Sequence, residues 1–288
     1  MRPRHLAMAV GLAAVWGFNF VVMQVGLRHF PPLLYAALRF SLAAFPALLF
    51  VGRPGVAWRW VAGVAASIGV AQFGLMLIGM KAGMPPGLSS LVLQSAALFT
   101  VLFAVLFLRE RLTRRRVTGL AVAFAGLLLV AYDFGLGAPV GPFLLCVGAA
   151  VAWGLGNVIQ RKAAPPDPLR FMVWVSALSA PPLLLLSVLA EGLPSLAAPA
   201  EGWLSLGYVA FISTLGGFGV WGWLLQRYDA SVVAPYALLV PVFGLSSAAL
   251  FTGEDLSAVE LVAAALIVSG VLYAGSRPRA VPRERVLA

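Results

Sequence analysis

Charge is scarce in this chain. Asp, Glu, Lys and Arg together make up 10% of its 288 residues, against 61% hydrophobic side chains. So little polar surface cannot clothe a water-soluble domain of this length, so an ordinary globular protein is excluded and lipid becomes the solvent for most side chains. Cysteine occurs once, as Cys146 inside an apolar run, so neither an internal disulfide nor a multi-thiolate metal site can form. The two histidines, His5 and His29, stand apart at segment ends and supply no ligand set. No metal and no cofactor is expected. An intramembrane enzyme lacks its catalytic groups here: there is no HExxH motif, no His beside a Ser within an apolar run and no paired carboxylates at mid-span. The net charge of +10 raises the question of nucleic acid. The basic residues, however, sit in short turns between apolar runs, the pattern of membrane topology. The bilayer is the expected partner, and nucleic acid is not.

Apolar runs of membrane-crossing length are abundant. A span needs about 20 apolar residues, and segments 5–27, 33–51, 57–80, 86–108, 115–132, 140–160, 169–190, 203–226, 231–252 and 257–275 meet that standard. The first follows Arg2 and Arg4 like a signal sequence, but it exceeds a typical hydrophobic region and is read as a retained span. Pro31-Pro32, Pro85-Pro86 and Pro165-Pro166 mark helix starts. Pro46, Pro181, Pro182, Pro235 and Pro241 fall inside spans and predict kinks. Ser257 with Glu260 has capping-box spacing.

Assigning the loops alternately to two sides separates the charges. One side carries Arg2, Arg4, Arg53, Arg59, Arg109, Arg111, Arg114, Arg115, Arg116, Arg161, Lys162, Arg170, Arg227, Arg277, Arg279, Arg283 and Arg285. The other carries only Arg28 and Lys81. The positive-inside rule then places both termini in the cytoplasm, in a cytoplasmic (inner) membrane.

The chain also repeats itself. The turn Leu108-Arg-Glu-Arg-Leu112 recurs 144 residues later as Thr252-Gly-Glu-Asp-Leu256, and Phe99, Leu106, Phe107, Glu110 and Gly126 match Phe243, Leu250, Phe251, Glu254 and Gly270. Two halves, 1–137 and 138–288, of five spans each must enter the membrane from opposite sides. The expected fold is therefore an all-α polytopic membrane protein, ten transmembrane helices as two inverted five-helix repeats around a central cavity. Inverted repeats of this kind build secondary transporters, with the site between the halves.

Trp16-Gly-Phe-Asn-Phe20, Arg39-Phe40 and the Glu110 hairpin followed by Gly119 and Gly126 resemble the EamA-type repeat of the drug/metabolite transporter superfamily. Trp153-Gly-Leu-Gly-Asn157, Pro241-Val-Phe243 and Glu254 repeat the pattern. The resemblance implies export of small metabolites, with bacterial amino-acid exporters, including those for aromatic amino acids, the nearest kind. One departure stands out: the first copy has Ala97 where the second has Pro241, and the halves are expected to have specialised, one lining the site and the other bending.

Polar side chains at mid-span are expensive in lipid and face the bundle interior. The cavity candidates are Trp16, Asn19, Arg39, Gln72, Ser90, Gln94, Phe99, Trp153, Asn157, Gln160, Trp221 and Tyr236. Trp153, Asn157 and Gln160 form one helical stripe. Each has a bland alternative: a span Asn or Gln as a helix–helix hydrogen-bond partner, an aromatic as core. Arg39 is the one basic residue well inside a span. It either holds a substrate carboxylate or snorkels to the nearer surface. Gly216, Gly217, Pro235 and Pro241 are the hinge candidates. With a single buried cation, phosphate-bearing substrates are disfavoured, leaving neutral or zwitterionic solutes such as amino acids. The alternative is an exporter or flippase of drug-like or lipid-linked amphipaths. No carboxylate lies at mid-span to relay protons, so transport is expected to be weakly coupled or uncoupled. Oligomeric state has no signal in the sequence.

Overall fold

A computed structural model describes residues 1–109, 113–135, 140–193, 195–228, 233 and 236–275. Glu110, Arg111, Leu112, Pro235 and the C-terminal arginines lie outside the described residues, as does the boundary expected near 137. Among the described residues there are helices and no strands. We label the helices α1 (Pro3–His29), α2 (Pro32–Leu48), α3 (Trp58–Lys81), α4 (Pro86–Leu93), α5 (Ala96–Leu108), α6 (Arg114–Gly135), α7 (Val140–Ala163), α8 (Pro168–Glu191), α9 (200–227), α10 (Val240–Thr252) and α11 (Ala258–Gly275). Among the described residues, six stretches are long and apolar enough to cross a membrane: α1, α3, α4 with α5, α7, α8 and α9. The apolar parts of α2, α6, α10 and α11 are shorter.

Helix starts and stops follow the local chemistry. Proline occupies the first turn of α1, α2, α4, α8 and α10, where its missing N–H costs least. The capping box is present: Glu260 N donates to Ser257 Oγ and Ser257 N to Glu260 Oε2, both at 3.0 Å. Helices α5 and α10 end alike, on a left-handed residue: Arg109 at φ 54° and Gly253 at φ 67°.

Two irregularities recur in step with the sequence repeat. Helix α3 contains a π segment, Ala65–Gln72, and α9 contains another, Tyr208–Gly216. The helical path also breaks at Gln94-Ser95, between α4 and α5, and at residues 238–239, just before α10. The second break falls beside Pro241, as expected. The first has no proline, which corrects the expectation that only one half bends. At this break the Ser95 hydroxyl bonds the Val92 carbonyl at 2.6 Å, and Gln94, Ser95, Ala97 and Leu98 donate their N–H groups three residues back instead of four. The predicted kinks at Pro181 and Pro182 are absorbed in a continuous α8, whereas α2 ends two residues after Pro46.

The packing is crosswise. Helix α1 lies on α10, α7 on α5, α2 on α8, and α6 on α11. Glycines make the close approaches. A Cβ at Gly17 would sit 2.5 Å from Phe243 Cβ and 2.7 Å from the Val240 carbonyl; one at Gly154 would sit 2.7 Å from Phe99 Cβ and 2.8 Å from Thr100 N. Gly126 and Gly270 face each other's helices in the same way, against Ala263 and Ile267 and against Gly119 and Ala123. The largest buried cluster draws on Phe20, Met23, Tyr35, Phe40 and Met76 and equally on Leu183, Leu206, Val209 and Val240. The outer face carries Phe45, Phe50, Leu189 and Leu250, each more than 70% exposed, as a lipid-facing surface requires.

Contacts between helix ends divide them into two groups. At one end Lys81 reaches the Leu27 carbonyl, His29 meets Glu201, and Ser257 donates to Asp133. At the other, Tyr228 bonds Arg2 and His5, Trp174 bonds the Gly52 carbonyl, and Arg115 bonds the Tyr273 carbonyl.

Candidate functional site

Arg39 sits midway along α2 and is 3% exposed. It does not snorkel. Its Nε and Nη2 donate to Thr214 Oγ1 at 3.3 and 3.1 Å, and the Thr214 hydroxyl passes its own proton to the Val209 carbonyl at 2.7 Å. Nη1 faces Met23 Sδ at 3.8 Å. The guanidinium carbon lies 3.9 Å from the centre of the Phe73 ring and 5.5 Å from that of Phe40, and these two rings meet edge-to-face with centroids 5.3 Å apart, so the fork rests on an aromatic corner that holds it without neutralising it. Among the described residues no carboxylate pairs with Arg39. A buried charge is normally paired, so a lone guanidinium held by a hydroxyl, a thioether and two rings is unusual.

Asn19 completes the cluster from α1. It is 6% exposed; its amide donates to Met23 Sδ at 3.6 Å, and its Oδ1 has no partner among the described residues. Gln72 ends the first π segment, immediately before Phe73, and its buried Oε1 also lacks a donor. Each such orphan acceptor costs about 1–3 kcal/mol. Helices α2, α3 and α9 thus bring Phe73 and Thr214 together around Arg39, and Met23 Sδ on α1 links Arg39 to Asn19.

A second group adjoins this one through α9. Trp16 donates to the Ser213 carbonyl at 3.0 Å. That carbonyl belongs to the π segment, where Gly217 N instead serves Ile212 and Thr214. The Trp16 ring lies 5.5 Å from Trp221 and 5.8 Å from Phe218, and a Cβ on Gly217 would lie 2.6 Å from Trp16 Nε1. Gly216 has more room, its nearest neighbour being the Phe211 carbonyl at 3.3 Å. Tyr236 packs beside Trp221 around Ala9, Leu224 and Val233.

The remaining candidates fall elsewhere. Asn157 donates to Thr100 Oγ1 at 3.1 Å, joining α7 to α5, and Phe99 packs on Gly154. Trp153 lies between the main cluster and that of α3 with α8. Gln160 and Gln94 are half-buried. Ser90 is fully buried, donates to the Gly87 carbonyl at 2.6 Å and abuts Gly244, so its hydroxyl is satisfied inside a helix contact.

The capping roles of two carboxylates escaped the sequence reasoning, although Glu254 is part of the repeat. Glu191 accepts from Leu33 N and Leu34 N at 2.7 and 3.0 Å and from Ser187 Oγ at 2.8 Å. Glu254 accepts from Gly87 N and Leu88 N at 3.0 and 3.4 Å. Each carboxylate caps a helix that begins Pro-Pro, where no Ser, Thr, Asp or Asn stands to take the orphan N–H groups. That missing cap was the available signal. Desolvation raises the Glu254 pKa above the ordinary carboxylate value, and the bonds from Gly87 and Leu88 partly oppose it. A cleft of about 210 Å³ opens beside this cap, lined by Gln24, Met80, Gly83, Met84, Pro85, Pro86, Thr252 and Glu254. Another, of about 280 Å³, lies between α3 and α8. Neither is lined by Arg39, Asn19 or Gln72.

Comparison with known proteins gives a consistent result. The profile of the EamA-like transporter family matches residues 4–132 and 141–275. A protein of Salmonella typhimurium named probable amino-acid metabolite efflux pump is 41% identical over 92% of both chains. Its namesake in Escherichia coli K12 is 38% identical over 94% of both. A solved crystal structure at 23% identity superposes with a TM-score of 0.66, covering 95% of this chain and 97% of the other, and so shares the fold.

Proposed function

The chain belongs to the EamA-like transporter family, a family of transporters and not of enzymes, and from that premise we propose that it exports amino acids or similar small zwitterionic metabolites across the inner membrane by alternating access. Its relatives bear the name of amino-acid metabolite efflux pumps. In this reading the helices form two inverted five-helix repeats, with α4 and α5 as one interrupted span and both termini in the cytoplasm. The arginine-rich turns lie at the cytoplasmic end, and the Glu191 and Glu254 caps at the outer one.

The observation that carries the reading is the crosswise pairing of equivalent helices. The first helix of each half rests, through Gly17 or Gly154, on the fourth helix of the other half, at Phe243 or Phe99. The interruptions at 94–95 and 238–239 flank these contacts, and a π segment stands in each third helix. Discontinuous helices at a repeat interface are where transporters hold substrate, and π segments concentrate at functional sites. Halves joined by smooth glycine contacts can rock against each other. Gly216 and Gly217 sit where the second π segment returns to α-helix, and Pro241 opens α10 after the second break; these are the pivots in this mechanism.

The test is flux. Purified protein in liposomes, loaded with each of the twenty labelled L-amino acids in turn, should release at least one faster than empty liposomes do. Retention of all twenty would overturn the amino-acid assignment.

A further inference from the structure

The Arg39 cluster holds complementary polar groups that the protein itself leaves unused. The guanidinium fork spends two N–H groups on Thr214 and one on a sulfur, a weak acceptor, and its remaining N–H groups have no acceptor among the described residues. Across that sulfur stands the Asn19 amide, whose Oδ1 is buried with no donor among the described residues. Met23 Sδ therefore lies between the positively charged fork and the Asn19 amide, whose NH2 group faces the sulfur and whose Oδ1 is left as an acceptor. The rings of Phe73 and Phe40 keep the fork dry, which strengthens any ionic hydrogen bond made there.

We propose that Arg39 receives the carboxylate of an α-amino acid, that the Asn19 side-chain carbonyl accepts from its ammonium group, and that Met23 swings aside to admit it. The proposal rests on the exporter reading above and names the chemistry its substrate must carry. One buried cation matches one anionic charge, so a phosphate dianion would keep charge uncompensated. A simple monocarboxylate would leave Asn19 as it is; an ammonium group fills it. Methionine suits the part of a displaceable plug, being unbranched and flexible, with a sulfur that bonds weakly on both sides. The substrate carboxylate also competes with Thr214 for the same fork. Binding would thereby loosen the α9 π segment, the element that Trp16 grips through the Ser213 carbonyl.

The experiment uses the full chain in liposomes and the labelled amino acid that gives the fastest flux. Unlabelled competitors are its primary amide, its decarboxylated amine and its deaminated acid. Wild type should be inhibited by the parent amino acid and by none of the three at equal concentration. Arg39→Gln should raise the KM roughly 10- to 100-fold, the worth of a charge-assisted contact, and should lose the preference for acid over amide; Arg39→Lys should keep it. Asn19→Ala should lose the preference for the amino acid over its deaminated analogue. If wild type carries an amino acid but the amide or amine competes equally, the proposal fails and the exporter reading stands. Weakened flux in Arg39→Gln with the acid-over-amide preference intact makes Arg39 a purely structural residue and also overturns it. If wild type moves no amino acid, both readings fall.

Discussion

The crosswise contact at Gly17 can be tested by adding a single methyl group. Helix α1 contains two glycines in different surroundings: Gly11 has nothing within 4 Å of where a Cβ would stand, whereas at Gly17 three atoms lie within 2.8 Å. Two of these, the Val240 carbonyl and Gly244 N, are backbone, and the third is the Phe243 Cβ, so no side-chain rotation relieves the clash. Gly11→Ala should therefore gain helix propensity alone, about 0.5–1 kcal/mol. Gly17→Ala gains the same term and loses about 1–3 kcal/mol or more to overpacking, for a net loss of roughly 0.5–2 kcal/mol. Gly154→Ala should behave like Gly17→Ala, because its Cβ would meet Phe99 and the Thr100 backbone at 2.7–2.9 Å. Thermal unfolding in detergent micelles reads the difference: Gly17→Ala and Gly154→Ala should melt several degrees below Gly11→Ala. Equal melting temperatures for all three would refute the claim that these glycines are the tight joints of α1 with α10 and of α7 with α5.

Three further outcomes follow. Glu191→Ala removes the cap of α2 and should cost about 1–2 kcal/mol, measured by the same unfolding assay, with Glu201→Ala, at 60% exposed, as a milder reference. Thr214→Val keeps the shape but strips Arg39 of its oxygen acceptor, for a loss of about 1.5–3 kcal/mol; Thr214→Ser should retain most of the stability. The raised Glu254 pKa means the folded state holds its proton more tightly than the unfolded state does. That contribution to stability is present below the ordinary carboxylate value and fades as pH rises through the folded pKa. Glu254→Gln should flatten this component of the melting-temperature profile above about pH 4.5, and an unchanged slope would count against it.

The six long apolar helices were legible because apolar runs of bilayer length are too long for most core helices and too costly to leave in water. The repeat was legible at Phe99 with Phe243 and at Gly126 with Gly270, the residues that turn out to make the inter-helix contacts. The π segments left no trace, because a change of hydrogen-bond register alters neither composition nor hydropathy. The break at Gln94-Ser95 was missed because proline was taken as the mark of bending, whereas here the backbone shifts to bonds three residues back with no proline present. Within the candidate site, periodicity could place Asn19 or Arg39 on a helix face but could not say which faces meet. Arg39 and Thr214 lie 175 residues apart, and only the packing of α2 against α9 joins them. The Trp153, Asn157 and Gln160 stripe shows the same limit: one helical face, but Asn157 meets Thr100, Trp153 enters the core and Gln160 stays half-buried.

The pairing of α1 with α10 also sets a timetable for biosynthesis. Helix α1 is among the first segments to leave the ribosome, and α10 is nearly the last. At about 5–20 residues per second, roughly 10–50 s separate them. Throughout that interval the notch at Gly17 faces lipid or a chaperone instead of Phe243. A chain that stalls before residue 240 keeps that notch open for good, and membrane quality control would meet it as an unfinished surface. Conversely, the last stretch of translation does more than append helices, because it closes a joint begun with the first.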